Sequence, residues 1–160
     1  MSERRSNSDL AHWRLHNQRL AGTAFDRPEE VVQWLGAVQA QDYGGAKWAV
    51  ALRSAGVTNA AMDRALADGV ILRTHVLRPT WHFVTPADIR WMLALTAPRV
   101  HALNAYCYRS LGLDHAVFTR SNAALARALQ GGRQLTRLEL VAALKHAGIA
   151  SESLLGSCAS

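Results

Sequence analysis

The sequence predicts a mainly α fold with one small antiparallel β-ribbon: a winged-helix domain, related to the helix-turn-helix, followed by the start of a second such unit. Three observations lead there. Short amphipathic segments are closed by Gly22, Gly56 and Gly69, the periodicity changes to that of strands between Val70 and Val84, and after Gly112 the helical pattern resumes.

Asp9 to Leu20 carries Leu10, Trp13, Leu15, His16 and Leu20 at mixed helical spacing, and Gly22 closes it. Arg27-Pro28-Glu29-Glu30 opens a second helix, because proline suits the first turn and the glutamates favour the positive end of the helix dipole. Val31, Val32, Leu35 and Val38 continue it on one face, with an end expected near Ala40. Ala46 to Ala55 reads as a third helix with Trp48, Val50 and Leu52 inward, and Thr58 caps a fourth over Asn59 to Ala67. Val70 to Leu72 and Trp81 to Val84 read as two short strands, joined by residues 73–80 with Pro79 near the second. Thr85-Pro86-Ala87-Asp88 starts a long helix that breaks near Pro98, and another runs from Val100 to about Leu111. Helices then follow over Ser121 to Leu129 and Thr136 to Ala147, with a turn at Gly131-Gly132 and a capping box of Thr136 and Glu139.

These elements divide the chain into a tail and helix start over 1–14, a winged-helix domain over 15–112, an incomplete second unit over 113–150 and an aberrant tail over 151–160. The second unit ends before any ribbon, which reads as a truncated or frameshifted product.

An apolar fraction of 49% with 19% charged residues is that of a folded globular chain of 160 residues, long enough for one sizeable core. No apolar run approaches the roughly 18 residues of a membrane span, and MSERRSNSD lacks the apolar stretch of a signal peptide, so a cytoplasmic protein is expected. Cys107 and Cys158 have no CxxC spacing; they read as idle or buried thiols, not as a disulfide framework or zinc site. The net charge of +6 is carried almost wholly by arginine, the lysines being Lys47 and Lys145. Arginine grips phosphate with a planar fork, which makes nucleic acid a first guess for a partner, with a GC-rich genome as the equal alternative source of the bias. No Gly-rich phosphate loop, metal-spaced histidine cluster or Ser-His-Asp set is present in the pattern, and neither metal nor cofactor is expected.

The unusual stretch is AVQAQDYGG, Ala37 to Gly45, where Gln39, Gln41 and Asp42 stand just before a glycine pair. By itself it reads as a solvated helix end. Together with its surroundings, VVQWLGAVQAQDYGGAKWAVALR followed by GVILRTHVLRPTWHFVTPADIRWMLAL, it resembles the N-terminal portion of the AlkZ/YcaQ family of tandem winged-helix DNA glycosylases. The likeness runs from about Leu15 to Ile149. It is most specific at the Gln-x-Gln element and at the arginine-rich ribbon ending in Thr-Trp-His-Phe-Val.

The resemblance implies three tandem winged-helix units around a basic channel. It also implies monofunctional, metal-free removal of alkylated guanine, including the unhooking of interstrand crosslinks, with Gln39 and Gln41 as the catalytic pair. Residues two apart point about 200° apart in a helix but share a side in extended chain, so both amides can face one substrate only if the helix has ended. Guanine alkylated at N7 is already cationic and leaves without protonation. The protein then has only to position a water and stabilise an oxocarbenium-like sugar, which neutral amides can do. Asp42 is the stronger base on paper, or instead caps the next turn or holds a neighbouring arginine.

Arg73, His75 and Arg78 on the ribbon, with Lys47, form the candidate DNA-binding set, contacting phosphates without reading bases. Lys47 taken alone also reads as a solvated charge, like Arg53, Arg64 and Arg90. His82, between Trp81 and Phe83, reads as a core histidine, and Trp13, Trp34, Trp48, Trp81 and Trp91 read mainly as core. Competing readings are a non-catalytic winged-helix regulator and an inactive fragment. Binding through phosphates predicts similar affinities for duplexes of unrelated sequence, each falling steeply as salt rises. Fluorescence anisotropy titrations check this, and a salt-insensitive preference for one sequence would favour the regulator.

Overall fold

The computed structural model describes residues 6–78 and 80–149, so Pro79 and the expected aberrant tail at 151–160 lie outside the described residues. The chain separates into two compact units, Met1–Pro98 and Arg99–Ser160. Both are built chiefly of helices, and the fold class is the mainly helical, winged-helix type with a small antiparallel sheet.

In the first unit, α1 (Asn7–Asn17) is headed by Ser6, whose hydroxyl accepts from the Asp9 N–H at 3.1 Å while Asp9 accepts from the Ser6 N–H at 2.9 Å. No residue of α1 is buried, and the helix stops short of the expected Leu20 because Arg19 adopts a left-handed φ of 55°. Helix α2 (Pro28–Leu35) begins with proline in its first turn, and Glu30 reaches back to accept from the Arg27 N–H at 3.2 Å. Val31 and Val32 are fully buried beneath it.

The expected continuation of α2 toward Ala40 is not what forms. Gly36 turns the chain at φ 75°, and Val38–Gln39 becomes a short strand, β1. Helices α3 (Tyr43–Ala51) and α4 (Asn59–Ala67) follow, the latter capped as expected by Thr58, which accepts from the Ala61 N–H at 3.2 Å. Strands β2 (Leu72–Val76) and β3 (Thr80–Val84) form an antiparallel hairpin with Thr74 opposite His82. The sheet order is β1-β3-β2, three strands where two were expected. Residues 73–76, expected in the connection, are strand because their pairing to residues 80–83 satisfies backbone groups that a loop would leave to solvent.

Two apolar clusters sandwich this sheet. Phe83, Val38 and Ala40 join Val31, Val32, Ala46, Val50, Met62, Ala65 and Ile71 on one side; Val76 and Val84 meet Met92 on the other. Met92 lies early in α5 (Ile89–Ser110), which runs through Pro98 where a break was expected. Just before α5, Asp88 accepts from the Thr85 hydroxyl at 2.7 Å and from Trp91 Nε1 at 2.8 Å, bonds that hold its carboxyl below the ordinary range. The tryptophans depart from the core expectation: Trp13, Trp34, Trp48 and Trp91 are 53, 52, 67 and 52% exposed. A core this small is filled by valines, alanines, one isoleucine, one methionine and one phenylalanine, leaving indoles at its rim.

In the second unit, α6 (His115–Ala128) starts earlier than expected because Asp114 accepts from the Val117 N–H at 2.8 Å. Helix α7 (Arg137–His146) carries the expected capping box, with Glu139 accepting from the Thr136 N–H at 2.7 Å. Ala124, Leu144 and Ile149 form its core.

Phe83 is the largest fully buried side chain and sits on the central strand. Phe83→Ala should therefore destabilise the first unit by about 3–5 kcal/mol, read as a lower urea midpoint for that unit. A shift under about 1 kcal/mol would show that the sheet does not organise this core.

Candidate active site

Gln39 and Gln41 flank Ala40, which is fully buried, while both glutamines are exposed. Because the chain here is extended and not helical, alternate residues share a side, and the two amides emerge together. They line one open depression of about 280 Å³ with Asp42, its floor made by Gly45, Ala46 and Ala49 of α3. The structure thus gathers the three candidate catalytic residues into one place, by way of β1 instead of a helix end.

Gln41 is fastened by its own side chain. The Ala40 N–H donates to the Trp81 carbonyl at 2.7 Å, and the Trp81 N–H donates to Gln41 Oε1 at 3.1 Å. The side-chain carbonyl therefore stands where the next main-chain acceptor of a β-ladder would be, and its amide N–H groups are left for other partners. Among the described residues the Gln39 amide has no hydrogen-bond partner, so both its carbonyl and its N–H groups face solvent in the depression.

Asp42 occupies the N-cap position of α3, but its carboxylate makes no capping bond; only its main-chain carbonyl does, accepting from the Ala46 N–H at 3.0 Å. Nor is it ion-paired with an arginine among the described residues, so its carboxylate makes neither the capping bond nor the arginine pair that were its alternative expected roles. The glycine pair does not end a helix, as expected, but lies in the first turn of α3. A Cβ on Gly45 would sit 2.6 Å from Asp42 Oδ2, so glycine there is what lets the carboxylate lie against the helix start.

The candidate DNA-binding residues divide. Arg73 on β2 is turned inward: Nε and Nη2 both donate to the Ala40 carbonyl, at 3.2 and 3.0 Å, and the guanidinium lies 4.4 Å from the Trp81 ring centre. Lys47 is 12% exposed and ion-paired with Asp63 at 2.8 Å, not solvated. Arg53 likewise donates to main-chain carbonyls, of Gln18 and Ala49, each at 2.7 Å. His75 is exposed and stacks on Trp81 with ring centres 4.0 Å apart, and Arg78 is exposed at the hairpin turn. His82 is buried at 8% exposure and its Nδ1 donates to the Thr80 carbonyl at 2.9 Å, as a core histidine does.

Two groups that brace α3 were not singled out from sequence. Tyr43 donates from its hydroxyl to Asp63 Oδ1 at 3.1 Å and packs edge-on against Phe83, and Asp63 also accepts from Asn59 Nδ2 at 3.2 Å. Burial, with the bond to Asp63, pushes the Tyr43 phenol above its usual value; the Lys47 ammonium, with the Tyr43 hydroxyl, holds Asp63 below its own. The position of Tyr43 immediately after Asp42 was a signal that it belonged to this corner. No group of three or more His, Cys, Asp or Glu is placed to hold a metal among the described residues, and no helix there is long and apolar enough to cross a membrane.

Asp63 clamps α3 to α4. A carboxyl lowered on folding stabilises above its unfolded pKa of about 3.9 and loses that contribution as pH falls through the lower folded value. Asp63→Asn should thus lower the thermal midpoint at pH 7, with the gap from wild type closing as pH falls below about 3.9. A gap that stays constant across pH would remove the ion pair from the account.

Comparison with known proteins shows the family. A family model described as DNA glycosylase AlkZ-like matches residues 32–158. The interstrand DNA cross-link repair glycosylase of Streptomyces sahachiroi is 31% identical over 132 residues, covering 82% of this chain and 35% of that protein. The solved structure of Streptomyces sahachiroi DNA glycosylase AlkZ is similar with a TM-score of 0.70 at 30% identity, again over 82% of this chain and 35% of the other. The chain therefore spans about a third of the length of the relatives it matches.

Proposed function

The chain belongs to the AlkZ-like DNA glycosylase family, and from that premise we propose that it acts on double-stranded DNA, hydrolysing the N-glycosidic bond of a cationic N7-alkylguanine, interstrand crosslinks included. The observation that carries this reading is the open depression shared by Gln39, Gln41 and Asp42. Enzymes that do chemistry on a base usually swing it into an enclosed pocket, which a base tethered to both strands cannot enter. A shallow polar surface suits such a lesion.

In this mechanism the alkylated guanine departs with the electron pair of its bond to C1′, becoming a neutral base as its positive charge is cancelled. Water then forms the new bond to C1′ and loses one proton. The Gln39 carbonyl accepts a hydrogen bond from that water and orients it. The Asp42 carboxylate, lining the same depression, stabilises the oxocarbenium-like sugar and is a destination for the proton. Gln41, anchored through Trp81, donates from its amide into the same space. The chemistry needs neither metal nor cofactor. Arg78 and His75, on the exposed side of the hairpin, are the proposed phosphate contacts, whereas Arg73 and Lys47 are engaged inside the protein. Such an enzyme works at the bacterial nucleoid, in the cytoplasm.

A duplex carrying one N7-methylguanine tests the proposal under single-turnover conditions. Gln39→Ala and Gln41→Ala should each slow base release on the order of a hundredfold, with affinity for the duplex unchanged because phosphate contacts lie elsewhere. Equal rates in wild type and the double variant, or no release by wild type, would overturn the catalytic reading in favour of a DNA-binding piece.

A further inference from the structure

Resting on that reading, we infer that Arg73 is a positioning residue for the Gln39–Gln41 corner and not a phosphate contact. Arg73 stands opposite Phe83, and Phe83 stands opposite Val38, so β3 lies between Arg73 and β1. The side chain crosses that strand to reach the carbonyl of Ala40, the residue between the two glutamines, and donates to it twice. The Ala40 N–H is bonded to the Trp81 carbonyl. Both polar groups of this residue are thus held, one by the sheet and one by a charge-assisted pair of bonds.

The guanidinium is itself confined. Its carbon lies 4.4 Å from the Trp81 ring centre and 5.4 Å from that of Tyr43. Trp81 stacks in turn on His75, and Tyr43 is fixed through its hydroxyl to Asp63. A planar fork between rings, with two donors converging on one oxygen, is a job that lysine with its compact point charge cannot do. Fixing the carbonyl of Ala40 orients the peptide plane that joins it to Gln41, while the Ala40 N–H bonded to Trp81 orients the plane that joins it to Gln39, so the two bonds together set the directions in which the glutamine side chains leave the chain. Misplacement of a catalytic group by about 1 Å can cost on the order of a hundredfold in rate.

The two roles for Arg73 predict opposite kinetics. Arg73→Lys, which keeps the charge, and Trp81→Leu, which removes the ring beside the guanidinium, are compared with wild type. The readings are single-turnover base release at saturating protein, duplex Kd at several salt concentrations, and hydrogen exchange at the Ala40 and Trp81 amides. Positioning predicts a saturating rate at least about tenfold lower in both variants, faster exchange at both amides, and an unchanged Kd and salt slope. A wild-type rate in Arg73→Lys would overturn the inference, as would a weaker Kd with a shallower salt slope. Should wild type release no base, the proposed function falls, and the exchange data alone then judge Arg73: unaltered protection of the two amides in Arg73→Lys refutes its role.

Discussion

Two residues of strand, Val38 and Gln39, pair with Phe83 and His82, and the site depends on that pairing. It carries Val38 and Ala40 into the core and leaves Gln39 and Gln41 outside. Had α2 continued through this segment, the two amides would have pointed to different sides of the helix. Gly36, at φ 75°, is the local device that stops the helix in time. The neighbouring glycines act differently, since at Gly45 the missing Cβ makes room for a carboxylate and not for a turn.

The basic residues near the site are shared between two duties. Arg73, Lys47 and Arg53 hold the protein to itself, through Ala40, Asp63 and the carbonyls of Gln18 and Ala49. At the hairpin, Arg78 is left as the exposed cation, with the exposed His75 ring beside it on the same hairpin. A positive balance of +6 therefore overstates the surface offered to an anion, because a buried or half-buried cation that is already paired has little to give a phosphate. The three donors on Asp63 illustrate the same economy: one carboxylate joins Tyr43 and Lys47 of α3 to Asn59 of α4, and steadies the ring beside which Arg73 lies.

Local signals were read correctly where their physics is local. Thr58 before α4, and Thr136 with Glu139 at α7, depend on groups three residues apart, and each cap is present with the expected partners. Pro28 followed by two glutamates marked the start of α2 for the same reason. The Gln-x-Gln element and the Thr-Trp-His-Phe-Val strand were legible as a pattern, and the family match covers both. The indoles misled because an aromatic residue on an amphipathic stripe has the same spacing whether it lies at the centre of the core or at its rim. Trp48, 67% exposed, lies at the rim.

By itself, then, the sequence determined the helical class, the caps, the ribbon and the presence of two amides and a carboxylate in one short stretch. Only the tertiary structure decided that the stretch is strand, that Gln41 lends its carbonyl to Trp81, and that Arg73 spends its charge on Ala40. Each of these joins residues far apart in the chain across β3. Periodicity and capping describe how a residue meets its near neighbours and carry no information about which distant strand will satisfy its backbone.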